Sequence, residues 1–122
     1  MVSPACVIAG GETTVTVRGN GQGGRCQEFA LAAALAMEDL DDVVILAAGT
    51  DGTDGPTSAA GAIADARSAR RMRERGHDPR TRLDANDSHP VLADLEDLVD
   101  TGPTNTNLLD LYLMLISSPG GG

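Results

Sequence analysis

Apolar positions along the chain fall into short blocks whose periodicity changes from one block to the next. Residues 7–9 and 13–17 are β-branched runs separated by Gly10-Gly11, the pattern of two short strands meeting at a glycine turn. Between residues 27 and 37, Phe29, Leu31 and Leu35 sit among many alanines, which predicts a helix with a wide apolar face for packing on a sheet. Residues 43–48 are continuously apolar and of strand length, as expected of a strand buried on both faces. A loop rich in glycine and aspartate follows over residues 49–62, and a second helix is predicted over residues 62–75, stopped by Gly76. Residues 77–82 read as a turn, and Asn86-Asp87-Ser88 as the cap of a short helix through residues 91–95. Leu98-Val99 lead into a loop at 101–107, and residues 111–116 read as a final strand.

These elements predict an α/β fold: a mixed β-sheet flanked by helices, in a single domain over residues 1–116, with 117–122 as a flexible tail. No internal repeat and no linker divides the 122 residues.

Composition narrows the core and the class. Phe29 and Tyr112 are the only phenylalanine and tyrosine and tryptophan is absent, so the core must be built from Ala, Val, Leu and Ile. Two cysteines, Cys6 and Cys26, make neither a disulfide framework nor a metal motif. No apolar run reaches membrane-spanning length and the N-terminus lacks a signal-peptide pattern, so a soluble, cytoplasmic protein is expected. Eighteen acidic residues stand against nine basic ones, all arginine, for a formal net charge of -9. Such a surface repels nucleic acid and anionic membrane, and neither is expected as a partner. The aspartate excess favours adaptation to a salt-rich cytosol over mere replacement of lysine by arginine in a GC-biased genome.

Most of the chemistry is concentrated at residues 18–31, RGNGQGGRCQEFAL. Gly19, Gly21, Gly23 and Gly24 permit tight turns, positive φ and close approach to a ligand. The helix that follows offers unpaired N–H groups and a positive dipole end to an anion. Arg25 adds a planar donor fork at the same place. A purely steric glycine turn is the competing explanation. The block is neither a Walker loop, since the Lys-Ser/Thr pair is missing, nor a dinucleotide fingerprint, since no acidic residue ends a suitable second strand.

Other candidates carry less. Asp51 and Asp54 in DGTDG could hold a magnesium ion or orient a substrate hydroxyl, and Asp-Gly pairs are equally standard turn formers. Glu12 lies at a strand boundary within possible reach of Arg25, with a plain surface carboxylate as the alternative. Asn86-Asp87 and residues 101–107 have evident capping and turn roles unless the loops converge. The arginines at 67, 70, 71, 73 and 75 are expected to form surface ion pairs. Cys26 sits near a helix N-terminus, where a thiolate would be favoured, but lacks a partner base.

Four blocks in order, GGETTVTVRGNGQGGRCQEFAL, AAGTDGTDGPTSAAGA, ANDSHP and TGPTNTN, resemble the C-terminal (MOFRL) domain of the glycerate 2-kinase family, often labelled hydroxypyruvate reductase. The resemblance spans residues 8–116. It implies ATP- and magnesium-dependent phosphorylation of the 2-hydroxyl of D-glycerate in a cleft between this domain and a missing N-terminal Rossmann-like domain. On that resemblance Arg25 is the catalytic candidate, holding the glycerate carboxylate or the charge on the transferring phosphoryl group. Glu12, Gly23, Gly24, Gln27, Glu28, Asp51 and Asp54 are the substrate-binding candidates, and no metal ligand is assigned.

Two departures are visible. Cys26 stands where the family usually carries asparagine, and Leu109 where a polar residue is usual. On that resemblance the companion domain, with a lysine the family uses, is expected to lie outside these 122 residues, so half a cleft is expected to show little or no turnover. The alternatives are a stand-alone ligand-binding or regulatory module, or an inactive truncated fragment. The apolar face left by the absent domain could form a homodimer. A dehydrogenase finds no support without a dinucleotide fingerprint.

Overall fold

The computed structural model describes residues 5–11, 19, 21–106 and 109–117. They form β1 (Ala5–Gly11), α1 (Arg25–Ala36), β2 (Val43–Gly49), β3 (Gly61–Asp65), α2 (Ser68–Glu74), α3 (Pro79–Asp84), α4 (Ser88–Asp94), β4 (Leu98–Val99) and β5 (Asp110–Ile116). The α/β class is as expected. The five strands form one sheet in the order β1-β5-β2-β3-β4, and the pairings among the described residues are all antiparallel. The strand expected at 13–17 lies outside the described residues.

Register decides which side chains share a face. Ile45 stands opposite Ala64 on β3 and Met114 on β5, and Ala47 opposite Ala62 and Tyr112. This face packs against Ala30, Leu31 and Ala34 of α1, with Met72, Val91 and Leu92 from α2 and α4 completing the core. With so few aromatics, small side chains bring helix and sheet close: Ala30, Ala34, Ala47 and Ala62 are fully buried.

On the opposite face, Ile8, Leu113, Leu46 and Ile63 align across four strands. That face is not covered: Ile8 is 67% and Leu115 51% exposed, and β2 alternates buried with open positions. The apolar run at 43–48 therefore does not mark a strand buried on both sides. A continuous apolar strand arises equally where one face packs on helices and the other presents an apolar surface.

Two local expectations change. The helix expected over 62–75 is divided into β3 and α2. Alanine is a good helix former, but pairing with β2 offers Ala62 and Ala64 full burial, and tertiary context overrides a weak propensity. The turn expected at 77–82 is instead entered by α3, with Pro79 at its start and the Asp78 carboxylate accepting from the N–H groups of Arg80 and Thr81. No helix among the described residues is long and apolar enough to cross a membrane.

Candidate functional site

Antiparallel pairing brings the start of α1, the loop after β2 and the loop before β5 to one end of the sheet. Gly49 at the end of β2 is the register partner of Asp110 at the start of β5. Thr50 N–H and Oγ1 donate to the carbonyl of Leu109, at 3.2 and 2.7 Å, and Thr104 Oγ1 donates to the carbonyl of Thr50 at 2.5 Å. The loop at 50–60 is thus stitched to Thr104 and Leu109, and residues 101–106 do more than turn the chain.

Arg25 stands at this junction as the first residue of α1. Its Nε donates to Asp110 Oδ2 at 2.9 Å and its Nη2 to Oδ1 at 3.2 Å, a two-point pair that fixes the plane of the guanidinium. The arginine is 45% exposed and the aspartate 5%. Tyr112, its ring tilted at 49° to that of Phe29 with centroids 4.6 Å apart, donates its hydroxyl to Asp110 Oδ2 at 3.3 Å. Asp110 was not among the residues singled out from the sequence. Its only local signal is its position at the close of the TGPTNTN block, just after Leu109.

The start of α1 is closed by the protein itself. Asp54 is buried, and its two carboxylate oxygens accept from the N–H groups of Cys26 at 2.9 Å and Gln27 at 2.8 Å. The N-cap residue, Gly24, has no side chain for that purpose, so the cap comes from the loop after β2. An anion does sit at the helix N-terminus, as dipole and free N–H groups favour. It is a carboxylate of this chain, so the expected vacancy for a ligand anion at those two N–H groups does not exist.

The glycines of the preceding loop serve the same packing. Gly19, Gly21, Gly23 and Gly24 have no φ in the left-handed range. A Cβ on them would lie 2.3 Å from the Ala85 carbonyl oxygen, the Asp87 Cβ and the Ser88 Oγ, and 2.4 Å from the Asp54 Cγ, respectively. Close approach to the chain itself, rather than positive φ, is what these positions require. The loop is held by Gly19 N–H donating to Asn86 Oδ1 and Gln22 N–H to Asp87 Oδ1, so the Asn86-Asp87 corner converges on it.

Gln27 and Glu28 face inward. Gln27 Nε2 donates to Thr57 Oγ1 at 2.8 Å, and its Oε1 pairs with His89 Nδ1 at the same distance. Asn86 Nδ2 donates to Glu28 Oε1 at 2.7 Å. Burial pushes the Glu28 carboxyl up, the bond from Asn86 pulls it down, and the Asp54 charge adds to the upward push. Asp51 Oδ1 accepts from Thr53 N–H, a turn bond. A Cβ on Gly49 would lie 3.2 Å from Asp51 Oδ1 and 3.6 Å from Asp110 Oδ1, so both carboxylates border the same glycine. Glu12 lies outside the described residues.

Cys26 is fully buried, and its thiol is pushed far up by burial and by the charges of Asp54 and Asp110. The thiolate expected at a helix N-terminus is therefore disfavoured, chiefly because the thiol is buried and secondarily because the capping Asp54 carboxylate opposes a second negative charge. Three of the five arginines expected in ion pairs form them: Arg71–Asp97, Arg73–Glu38 and Arg75–Asp94.

Fold and site together define an α/β domain whose sheet is covered on one face only and which presents a fixed arginine where its loops meet. The chain belongs to the MOFRL family, whose model matches residues 5–110. It is 52% identical to the D-glycerate 2-kinase of Thermotoga maritima over 113 residues, covering 93% of this chain and 27% of that protein. Against the glycerate 2-kinase of Pyrococcus horikoshii it is 42% identical over 119 residues, covering 97% of this chain and 27% of the relative. The crystal structure of the T. maritima glycerate kinase superposes with a TM-score of 0.90 over 93% of this chain and 28% of that one. The chain thus spans about a quarter of the length of the curated relatives it matches.

Proposed function

We propose that this chain supplies the Arg25-bearing side of the cleft of a glycerate 2-kinase, in which the γ-phosphoryl of ATP passes to the 2-hydroxyl of D-glycerate to give 2-phosphoglycerate and ADP. The observation that carries this reading is Arg25 itself. Its guanidinium is oriented by a buried carboxylate, remains half-exposed, and stands where the loops converge. A planar, permanently charged fork suits the glycerate carboxylate or the equatorial oxygens of the phosphoryl group in transit. The names of the relatives support the substrate assignment.

The other candidates divide by what surrounds them. Asp51 borders the junction and is available to orient the substrate. Asp54, Gln27, Glu28, Gly23 and Gly24 would act from behind by holding the helix that carries Arg25. Among the described residues, no three His, Cys, Asp or Glu side chains converge as a metal site. No step is assigned to a metal on this side of the cleft. ATP and its cation would be held mainly by the companion Rossmann-like domain. The open apolar sheet face is consistent with such a companion, since apolar surface of this extent normally has an occupant.

The test is a chimera in which this chain replaces the matching quarter of the T. maritima kinase. It should phosphorylate D-glycerate, and Arg25→Ala should lower kcat/KM by about 100- to 1000-fold, as for loss of one charge-stabilising group. An effect confined to KM would assign the arginine to the glycerate carboxylate, and one on kcat to the phosphoryl group. A folded but inactive chimera, or full activity in Arg25→Ala, would remove the reading. Inactivity would favour the non-catalytic binding module, a reading supported by the buried thiol of Cys26 in the place of the family's usual asparagine.

A further inference from the structure

Asp110 is buried at 5% exposure, yet most of its hydrogen-bonding capacity is directed at one half-exposed side chain. Its register partners are Gly11 on β1 and Gly49 on β2, so no cross-strand side chain crowds the carboxylate from either side. Gly49 cannot be enlarged, because a Cβ there would lie 2.5 Å from the Thr53 carbonyl oxygen. The carboxylate itself accepts from the Tyr112 hydroxyl. A charge in this position is expensive to bury, and a pair with one exposed member returns little stability. What the arrangement provides is direction: a guanidinium on a flexible stem is set in one plane before any ligand arrives.

We infer that Asp110 is a positioning residue for Arg25, holding the guanidinium in the orientation that receives the substrate anion, with Tyr112 as the brace that fixes Asp110. This rests on the proposed role of Arg25 in the site. Preorganisation of a binding group spares the ligand the entropy of ordering it, and misplacement of such a group is costly to the rate.

The test is a double-mutant cycle in the active chimera. Asp110→Asn keeps the shape of the side chain but loses its charge. It should lower kcat/KM by about 10- to 100-fold, by analogy with misplaced catalytic groups, with the thermal midpoint maintained. In the Arg25→Ala background the same substitution should cost nothing further, because Asp110 acts through the arginine. Tyr112→Phe should show the same pattern with a loss of only a few-fold, and it serves if Asp110→Asn does not fold. Losses that multiply with that of Arg25→Ala, or no loss in either variant, would overturn the positioning role while leaving Arg25 in the site. Arg25→Ala with unchanged kcat/KM would instead remove the parent reading, and the two failures are told apart by that single variant.

Discussion

Gly24 and Asp54 are in such close contact that a Cβ on the glycine would lie 2.4 Å from the carboxylate carbon and 2.6 Å from the aspartate's backbone carbonyl carbon. The glycine is what allows the Asp54 carboxylate to reach the N–H groups of Cys26 and Gln27. Since the conflict involves backbone, no rotamer change relieves it. Gly24→Ala should destabilise the domain by about 2 kcal/mol through overpacking, and Asp54→Ala by a similar amount of about 2 kcal/mol through loss of the cap. Urea midpoints at constant slope would measure both. An unchanged midpoint in Asp54→Ala would mean that the carboxylate does not hold α1.

Glu28 adds a pH dependence. Its folded-state affinity for a proton is raised, chiefly by burial. The sign follows: the stability it contributes is fully present below the ordinary carboxylate range and is lost as pH rises through the raised value. Glu28→Gln keeps an acceptor for Asn86 and removes the buried charge. The variant should melt above the parent at pH 7, and the difference should shrink as pH falls below the ordinary glutamate range. Equal differences at both pH values would show that the charge carries no cost.

The two thiols should differ sharply in reactivity. Cys6 is exposed and Cys26 is buried beside two carboxylates, with its thiol pushed far up. Iodoacetamide at pH 8 should label Cys6 rapidly and Cys26 only at the rate of unfolding. Mass spectrometry of digests would locate the label. Rapid modification of Cys26 in the folded chain would contradict its burial and the field assigned to Asp54 and Asp110.

The open sheet face should make the isolated chain self-associate. Ile8 and Ile63 lie on it, on β1 and β3. Replacing both by lysine should shift sedimentation toward a single monomeric species, with the thermal midpoint changed little because both side chains are partly solvated already. A parent chain that stays monomeric at every concentration would show that the face is tolerated in water.

Much of the fold was legible locally. The helix carrying Arg25, the strand at 43–49 and the strand at 110–116 follow from periodicity within one residue or two at most ends. The four sequence blocks brought together a set of residues that does cluster at one end of the sheet. Asp78-Pro79, a cap followed by a helix-starting proline, carries a local signal for α3 that a turn reading of residues 77–82 leaves unused. The split between β3 and α2 was not legible, because an alanine-rich segment is neutral until a neighbouring strand offers it a partner.

Sequence by itself determined that aromatic side chains play little part in the core, though not that Met37 and Met72 join its Ala, Val, Leu and Ile. It also determined the position of Arg25 at a helix start and the family to which the chain belongs, since both are written in local spacing or in ordered blocks. Tertiary structure decided how those pieces are used. It assigned the helix N-terminus to Asp54 instead of a ligand, and the loop glycines to close packing on Ala85, Asp87, Ser88 and Asp54. It also paired Arg25 with Asp110 and left one apolar sheet face open. The physical reason is that hydrogen-bond partners and burial are properties of pairs of residues far apart in the chain. Asp54 lies beside Gly24, and Asp110 beside Arg25, only after β2 and β5 have paired and α1 has packed upon them.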